Sequence, residues 1–128
     1  MTTDIGNIVS YETLFDLELR HPVTDKPTGV VWKIRSAESN EAKALARQHI
    51  DASLSLAQSG KKIDIKARER QDLERVAGFV AGWPDDMPYK GEKLPYSPEA
   101  AVRVLDETGW IYAQVVKAAT ELANFTKG

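Results

Sequence analysis

The alternation of apolar and polar positions changes period along the chain, and each change marks an element. Phe15-Asp16-Leu17-Glu18-Leu19-Arg20 alternates apolar and charged residues. Val30-Val31-Trp32-Lys33-Ile34-Arg35 does the same, with Val30, Trp32 and Ile34 on one side. A period of two predicts two strands, each with one buried face. The segment His21–Gly29 between them holds two prolines and a glycine, which favours a long, shaped hairpin loop over a tight two-residue turn. A lone hairpin is marginal in water, so a helix is expected to cover its apolar face.

The period then becomes helical. Ser39 or Asn40 is placed to cap a helix, with Glu41 in its first turn. Ala42, Leu45, Ala46, His49, Ile50, Leu54 and Ala57 follow at helical spacing, and Gly60 stops the run. Asp64 can cap a second helix, with Leu73, Val76, Ala77, Val80 and Trp83 as one stripe and Gly82-Trp83-Pro84 as its end. Ser97-Pro98-Glu99 is a strong helix start: a capping serine, a proline at the first position and a carboxylate suited to the dipole. Ala101, Val104 and Leu105 make a short stripe before Gly109. Ile111, Val115, Ala118, Leu122 and Phe125 then form the face of a last helix. The expectation is an α+β fold, predominantly helical, with an N-terminal β-hairpin packed on about four helices. It reads as a single domain over residues 1–128: a loose end at 1–12, the hairpin at 13–36 and the helical part at 37–128.

The stretch from Ala81 to Ala100 stands apart. Its prolines forbid a regular helix or a central strand, and Trp83, Tyr89 and Tyr96 lie within it. A structureless connection of this length is uncommon in a compact domain. The aromatics therefore either pin the loop to the helices or anchor a partner, since Trp and Tyr dominate interface hot spots. Trp83, Tyr89 and Tyr96, together with Trp110 and Tyr112 on the last helix, are the candidate partner-binding residues.

Bulk properties narrow the function classes. A net charge of -2 over 128 residues gives no global basic field for phosphates or anionic lipid. Cysteine is absent, so disulfides and thiolate ligands are excluded, which fits a reducing compartment. The first residues lack the basic and apolar regions of a signal peptide, and no apolar run reaches the length of a membrane span.

Catalytic and metal chemistry finds little support. His21 precedes a proline in the hairpin loop and His49 lies near a helical stripe. Neither has a second histidine at four-residue spacing, and a structural role fits both better than metal ligation. Ser53, Ser55 and Ser59 lack a nucleophile-elbow context. Asp85-Asp86 read as a solvated turn rather than an acid–base pair or cation loop. The run Lys61 to Arg75 carries six basic residues (Lys61, Lys62, Lys66, Arg68, Arg70, Arg75) against four acidic ones (Asp64, Glu69, Asp72, Glu74). Interleaved signs without interleaved aromatics point to a solvated face with internal ion pairs rather than to nucleic acid. No catalytic residue, cofactor site or metal site is assigned.

A family pattern joins these segments. A strand ends in Arg20-His21-Pro22, followed by Thr24, Pro27 and Gly29 and a second strand. Later come Val80-Ala81-Gly82-Trp83, then Gly91, Leu94 and Tyr96-Ser97-Pro98-Glu99-Ala100-Ala101, and the C-terminus closes with Asn124-Phe125. From about Phe15 to Phe125 the chain resembles the tail assembly chaperones of long-tailed bacteriophages. The resemblance implies a non-enzymatic factor in the host cytoplasm, absent from the finished virion. Its implied partners are the tape-measure protein, which it would hold soluble and extended, and the major tail-tube protein. It also implies that a longer frameshifted form can exist, and the Thr126-Lys127-Gly128 ending is compatible with an A-rich slippery run. The competing expectation is a structural virion component, a tail-completion or connector protein that forms rings. An enzyme and a nucleic-acid-binding module are the remaining classes.

Overall fold

The computed structural model describes residue 2, residues 4–61 and residues 64–126. Lys62 of the charged run and the Lys127-Gly128 ending lie outside the described residues. The expected hairpin forms from β1 (Phe15–Arg20) and β2 (Pro27–Ile34), antiparallel, with Leu17 opposite Trp32 and Phe15 opposite Ile34. The register shifts between Glu18 and Arg20. Gly29, at φ 83, supplies the left-handed residue within β2, beside this break in the register. The Thr28 hydroxyl donates to the Leu19 carbonyl at 2.7 Å where the ladder is interrupted. The glycine thus belongs to the strand rather than to the loop.

Four helices follow among the described residues: α1 (Asn40–Gln58), α2 (Ile65–Ala77), α3 (Pro98–Glu107) and α4 (Gly109–Thr120). The fold is α+β. Ser39, Asp64 and Ser97 cap the first three, each accepting from the backbone N–H three residues on.

The second helix is shorter than its stripe predicts. It ends at Ala77, and Val80–Gly82 form β3, which pairs antiparallel with β2 to give the sheet order β1-β2-β3. Arg35 explains the switch. Its N–H donates to the Phe79 carbonyl at 2.6 Å, and its Nη1 donates to the carbonyls of Gly78 and Val80 at 2.9 and 3.1 Å. Backbone groups that leave the helix are therefore satisfied at once by Arg35, the residue that follows β2. Val80 still reaches the core, but by strand geometry.

The expected helix face through Leu122 also ends early. The Asn124 amide donates to the Ala118 carbonyl at 3.0 Å and the Ala37 N–H to the Ala119 carbonyl at 2.9 Å, so the last turn is satisfied from outside the helix. Leu122 is exposed, whereas Phe125 returns to the interior in a 3-10 turn and meets Phe15 edge-on at 6.4 Å. The first twelve residues, read as loose, contain a short 3-10 turn at Ile5–Asn7, and Val9 bridges Thr126.

The core lies between the sheet and α2, α3 and α4. Trp32, Ile34 and Val80 meet Val76, Ala101, Val104, Leu105, Ile111 and Val115 there. The proline-rich connection, read as neither a regular helix nor a central strand, holds a two-stranded ribbon, β4 (Pro88–Tyr89) and β5 (Glu92–Lys93). Trp83 fastens that connection: it stacks on Trp32 at 4.6 Å between centroids, meets Tyr96 edge-on at 5.1 Å, and donates its indole N–H to the Leu94 carbonyl at 2.8 Å. Trp83→Ala is expected to cost about 3–5 kcal/mol of stability, as for other large aromatic truncations in cores. Urea unfolding followed by circular dichroism reads this directly; a loss under about 1 kcal/mol would remove Trp83 from the core account.

Candidate partner-binding cleft between α1 and α2

The apolar stripe of α1 is only partly covered by the rest of the described residues. Ser39 sets the start of the helix, the Asn40 N–H donates to Glu12 at 2.8 Å, and Glu41 pairs with Arg35 at 2.9 Å. Ala42 is buried, and Leu45 packs so closely on Gly78 that a Cβ there would lie 2.7 Å from its methyl group. That close approach, which glycine permits, sets the base of the α1–α2 pair. Beyond it the stripe emerges into solvent. Ile50 and Leu54 are 58% and 55% exposed, and Ile65, at the start of α2, is 75% exposed.

A cleft of about 890 Å³ runs between the two helices. On the α1 side it is lined by Ala46, Ile50, Ser53, Leu56 and Ala57; on the α2 side by Arg68, Gln71, Asp72 and Arg75. Leu54 lies on its lip, in a shallower depression shared with His49, Ile50, Ser53 and Gln71. The α1 wall is mostly apolar, with His49 and Ser53 among its residues; Lys61 and the α2 wall bring three basic groups against the one carboxylate of Asp72.

The α2 wall is partly neutralised from within. Arg75 pairs with Asp72 at 2.9 Å, and Tyr112 of α4 donates its hydroxyl to the same carboxylate. Burial alone would raise the Asp72 carboxyl; the hydrogen bonds from Tyr112 and Arg75, with the Arg75 charge, outweigh it and hold the group below its usual value. The reciprocal effect raises the Tyr112 hydroxyl, chiefly through the hydrogen bond to Asp72 and then through burial. Glu74 pairs with Arg70 at 3.3 Å and faces His49 at 3.9 Å. Among the described residues, no carboxylate lies within ion-pair distance of Lys61 or Arg68.

The aromatic candidates do not gather into one site. Trp83 is buried, and Tyr96 is half-buried with its hydroxyl donating to the Val80 carbonyl at 3.0 Å, so both hold the connection in place. Tyr89 lies in a separate cluster. Its hydroxyl donates to Glu107 at 2.6 Å, Lys90 reaches the same carboxylate at 3.1 Å, and Arg103 lies 5.3 Å from its ring centre. Burial, and then the hydrogen bond and charge of Glu107, push the Tyr89 hydroxyl up to about 12. Trp110 is half-buried on the first turn of α4, packed against the core. Tyr112 alone touches the cleft, through Asp72.

The remaining candidates have local roles. His21 Nδ1 accepts from the N–H groups of Val23 and Thr24 at 3.1 and 3.2 Å and shapes the hairpin loop. Asp85 and Asp86 are exposed in the turn before Met87. Among the described residues, no three His, Asp or Glu side chains are grouped to hold a metal, and no helix is long and apolar enough to cross a membrane. Sequence reasoning identified the α1 stripe by its helical spacing but did not single it out as a binding surface. The available signal was its make-up: serine and histidine interrupt it, whereas α3 and α4 bury only alanine, valine, leucine and isoleucine.

The Tyr112–Asp72–Arg75 group has a pH signature. A carboxylate held below its unfolded value contributes stability that is present above that value and is lost as pH falls through the folded one. The wild type should therefore lose stability more steeply below about pH 4 than Asp72→Asn, with Tyr112→Phe between them. Thermal melts across that range test this; identical acid limbs for wild type and Asp72→Asn would show that the group carries no such linkage.

A family model described as YdaY prophage protein matches residues 33–128. The match runs from β2 to the C-terminus and takes in both helices of the cleft. No curated protein and no solved structure matches the chain. The family match spans well over half of the sequence, and the chain belongs to the YdaY prophage protein family, which makes it a phage-derived protein.

Proposed function

We propose that this phage-derived protein is a non-enzymatic assembly factor, a tail assembly chaperone that binds the tape-measure protein in the host cytoplasm and is left out of the finished virion. The observation that carries the reading is the exposed apolar stripe of α1 beside an open cleft. Exposed apolar groups in a contiguous row mark interaction surfaces, and helix-in-groove recognition reads an amphipathic client through such a row. Prophage family membership supports the setting, and the resemblance of the chain to tail assembly chaperones supplies the client. Recruitment of the major tail-tube protein, through a longer frameshifted form, completes the proposal.

Co-expression with the tape-measure protein of the same prophage tests it. The tape-measure protein should move into the soluble fraction and co-purify. The double variant Ile50→Asp/Leu54→Asp should abolish this while keeping the melting temperature within a few degrees, because both side chains are already exposed. A tape-measure protein that stays insoluble, or this protein recovered as rings in mature particles, would replace the chaperone with a structural virion component.

A further inference from the structure

We propose that the α1–α2 cleft takes one kind of helix: amphipathic, with carboxylates along the flank that faces α2. The inference rests on the binding reading above and adds the chemistry of the occupant. The apolar wall from Ala46 to Ala57 extends about 17 Å along α1, roughly three helical turns. That length suits anchors at i, i+3 or i+4, and i+7 of a docked helix.

Charge selects the flank. The whole chain is at -2, so an acidic partner meets no general attraction. The cleft departs from that average. Lys61 and Arg68 line it without a carboxylate at ion-pair distance among the described residues, while the one acidic residue of the lining, Asp72, is already held by Arg75 and Tyr112. Glu69 and Asp106 lie outside the cleft lining, in an adjoining depression that shares Arg68 and Asp72 with it, and neither comes within ion-pair distance of Arg68. The unpaired charge facing an occupant is therefore positive. A second copy of α1 does not complement it: after Glu41 its charged residues are Lys43, Arg47 and Asp51, which form no acidic row. A heterologous helix with glutamates or aspartates beside its apolar anchors does.

The test uses two synthetic helical peptides of about 18 residues with the same leucine stripe. One carries glutamate and the other lysine along the flank. Fluorescence anisotropy at low and high salt should give at least about tenfold tighter binding of the glutamate peptide, with the advantage shrinking at high salt. Lys61→Glu/Arg68→Glu should reverse the preference with an unchanged melting temperature. Equal affinities, a preference for the lysine peptide in the wild type, or no binding of either would overturn the proposal. So would a wild-type dimer in sedimentation velocity that Ile50→Asp converts to monomer, which would give the cleft to a second copy. The two proposals fail separately. Capture of the tape-measure protein that ignores the charge reversal defeats this one alone. Glutamate-peptide binding as expected, without capture of the tape-measure protein, defeats only the assembly reading.

Discussion

The contact between Trp32 and Trp83 is the constraint on which the rest of the structure depends. Trp32 is fully buried in the middle of β2, and its indole N–H points at the Met87 sulfur at 3.1 Å. A thioether is a weak acceptor but a soft, well-packing neighbour. With Trp83 stacked on one face of Trp32 and Tyr96 against Trp83, the proline-rich connection becomes part of the core instead of a loop over it. That arrangement requires the chain to leave α2 in extended form. β3 pairs with β2 and places Val80 in the core, and Trp83, just past its end, stacks on Trp32.

Arg35 makes the extended exit tolerable. Its N–H and guanidinium meet the carbonyls of Gly78, Phe79 and Val80 at the end of α2 and start of β3, and the Tyr96 hydroxyl adds a second donor at Val80. Its other terminal nitrogen reaches Glu41, so the same side chain also sets where α1 departs. The end of the sheet, the end of one helix and the start of another are thus coupled through a single planar fork, a task to which a lysine, with one point charge, is unsuited.

Much of this was legible in the residues. The period-two runs around Leu17 and Trp32 gave the hairpin, and Ser39, Asp64 and Ser97 gave three helix starts, because caps and alternation are local chemistry. The stop at Ala77 was not legible, since it depends on Arg35, more than forty residues away. Local spacing allowed Val80 and Trp83 to read as a helical stripe. The end of α4 fails to read for the same reason: its last carbonyls are met by the Asn124 amide beyond the helix and by the N–H of Ala37, far away in the sequence. The aromatics were found but their direction was not. Spacing cannot tell a tryptophan that fastens a loop from one that anchors a partner, and here the buried indole of Trp83 and the bonded hydroxyl of Tyr96 face inward. For α1 the spacing gave the stripe but not its exposure: amphipathicity establishes that a face wants cover, not that the same chain supplies it.

The uncovered face has an energetic reading that bears on the assembly proposal. Fully burying an exposed large aliphatic side chain contributes about 1.5–3 kcal/mol; Ile50 and Leu54 are already nearly half covered and Leu56 more so, so a partner covering all three gains roughly 2–4 kcal/mol in gross terms. Association and side-chain ordering cost several kcal/mol. The apolar contact alone therefore supports only weak binding, and the basic wall must supply rate, register and part of the affinity. Weak, salt-sensitive capture is what a factor needs if its client must later be surrendered to a polymerising tube. A binder that buried a full standard interface of about 1,600 Å² would resist that displacement. The stripe of α1, short and diluted with alanine and serine, suits a surface that is occupied and vacated in turn.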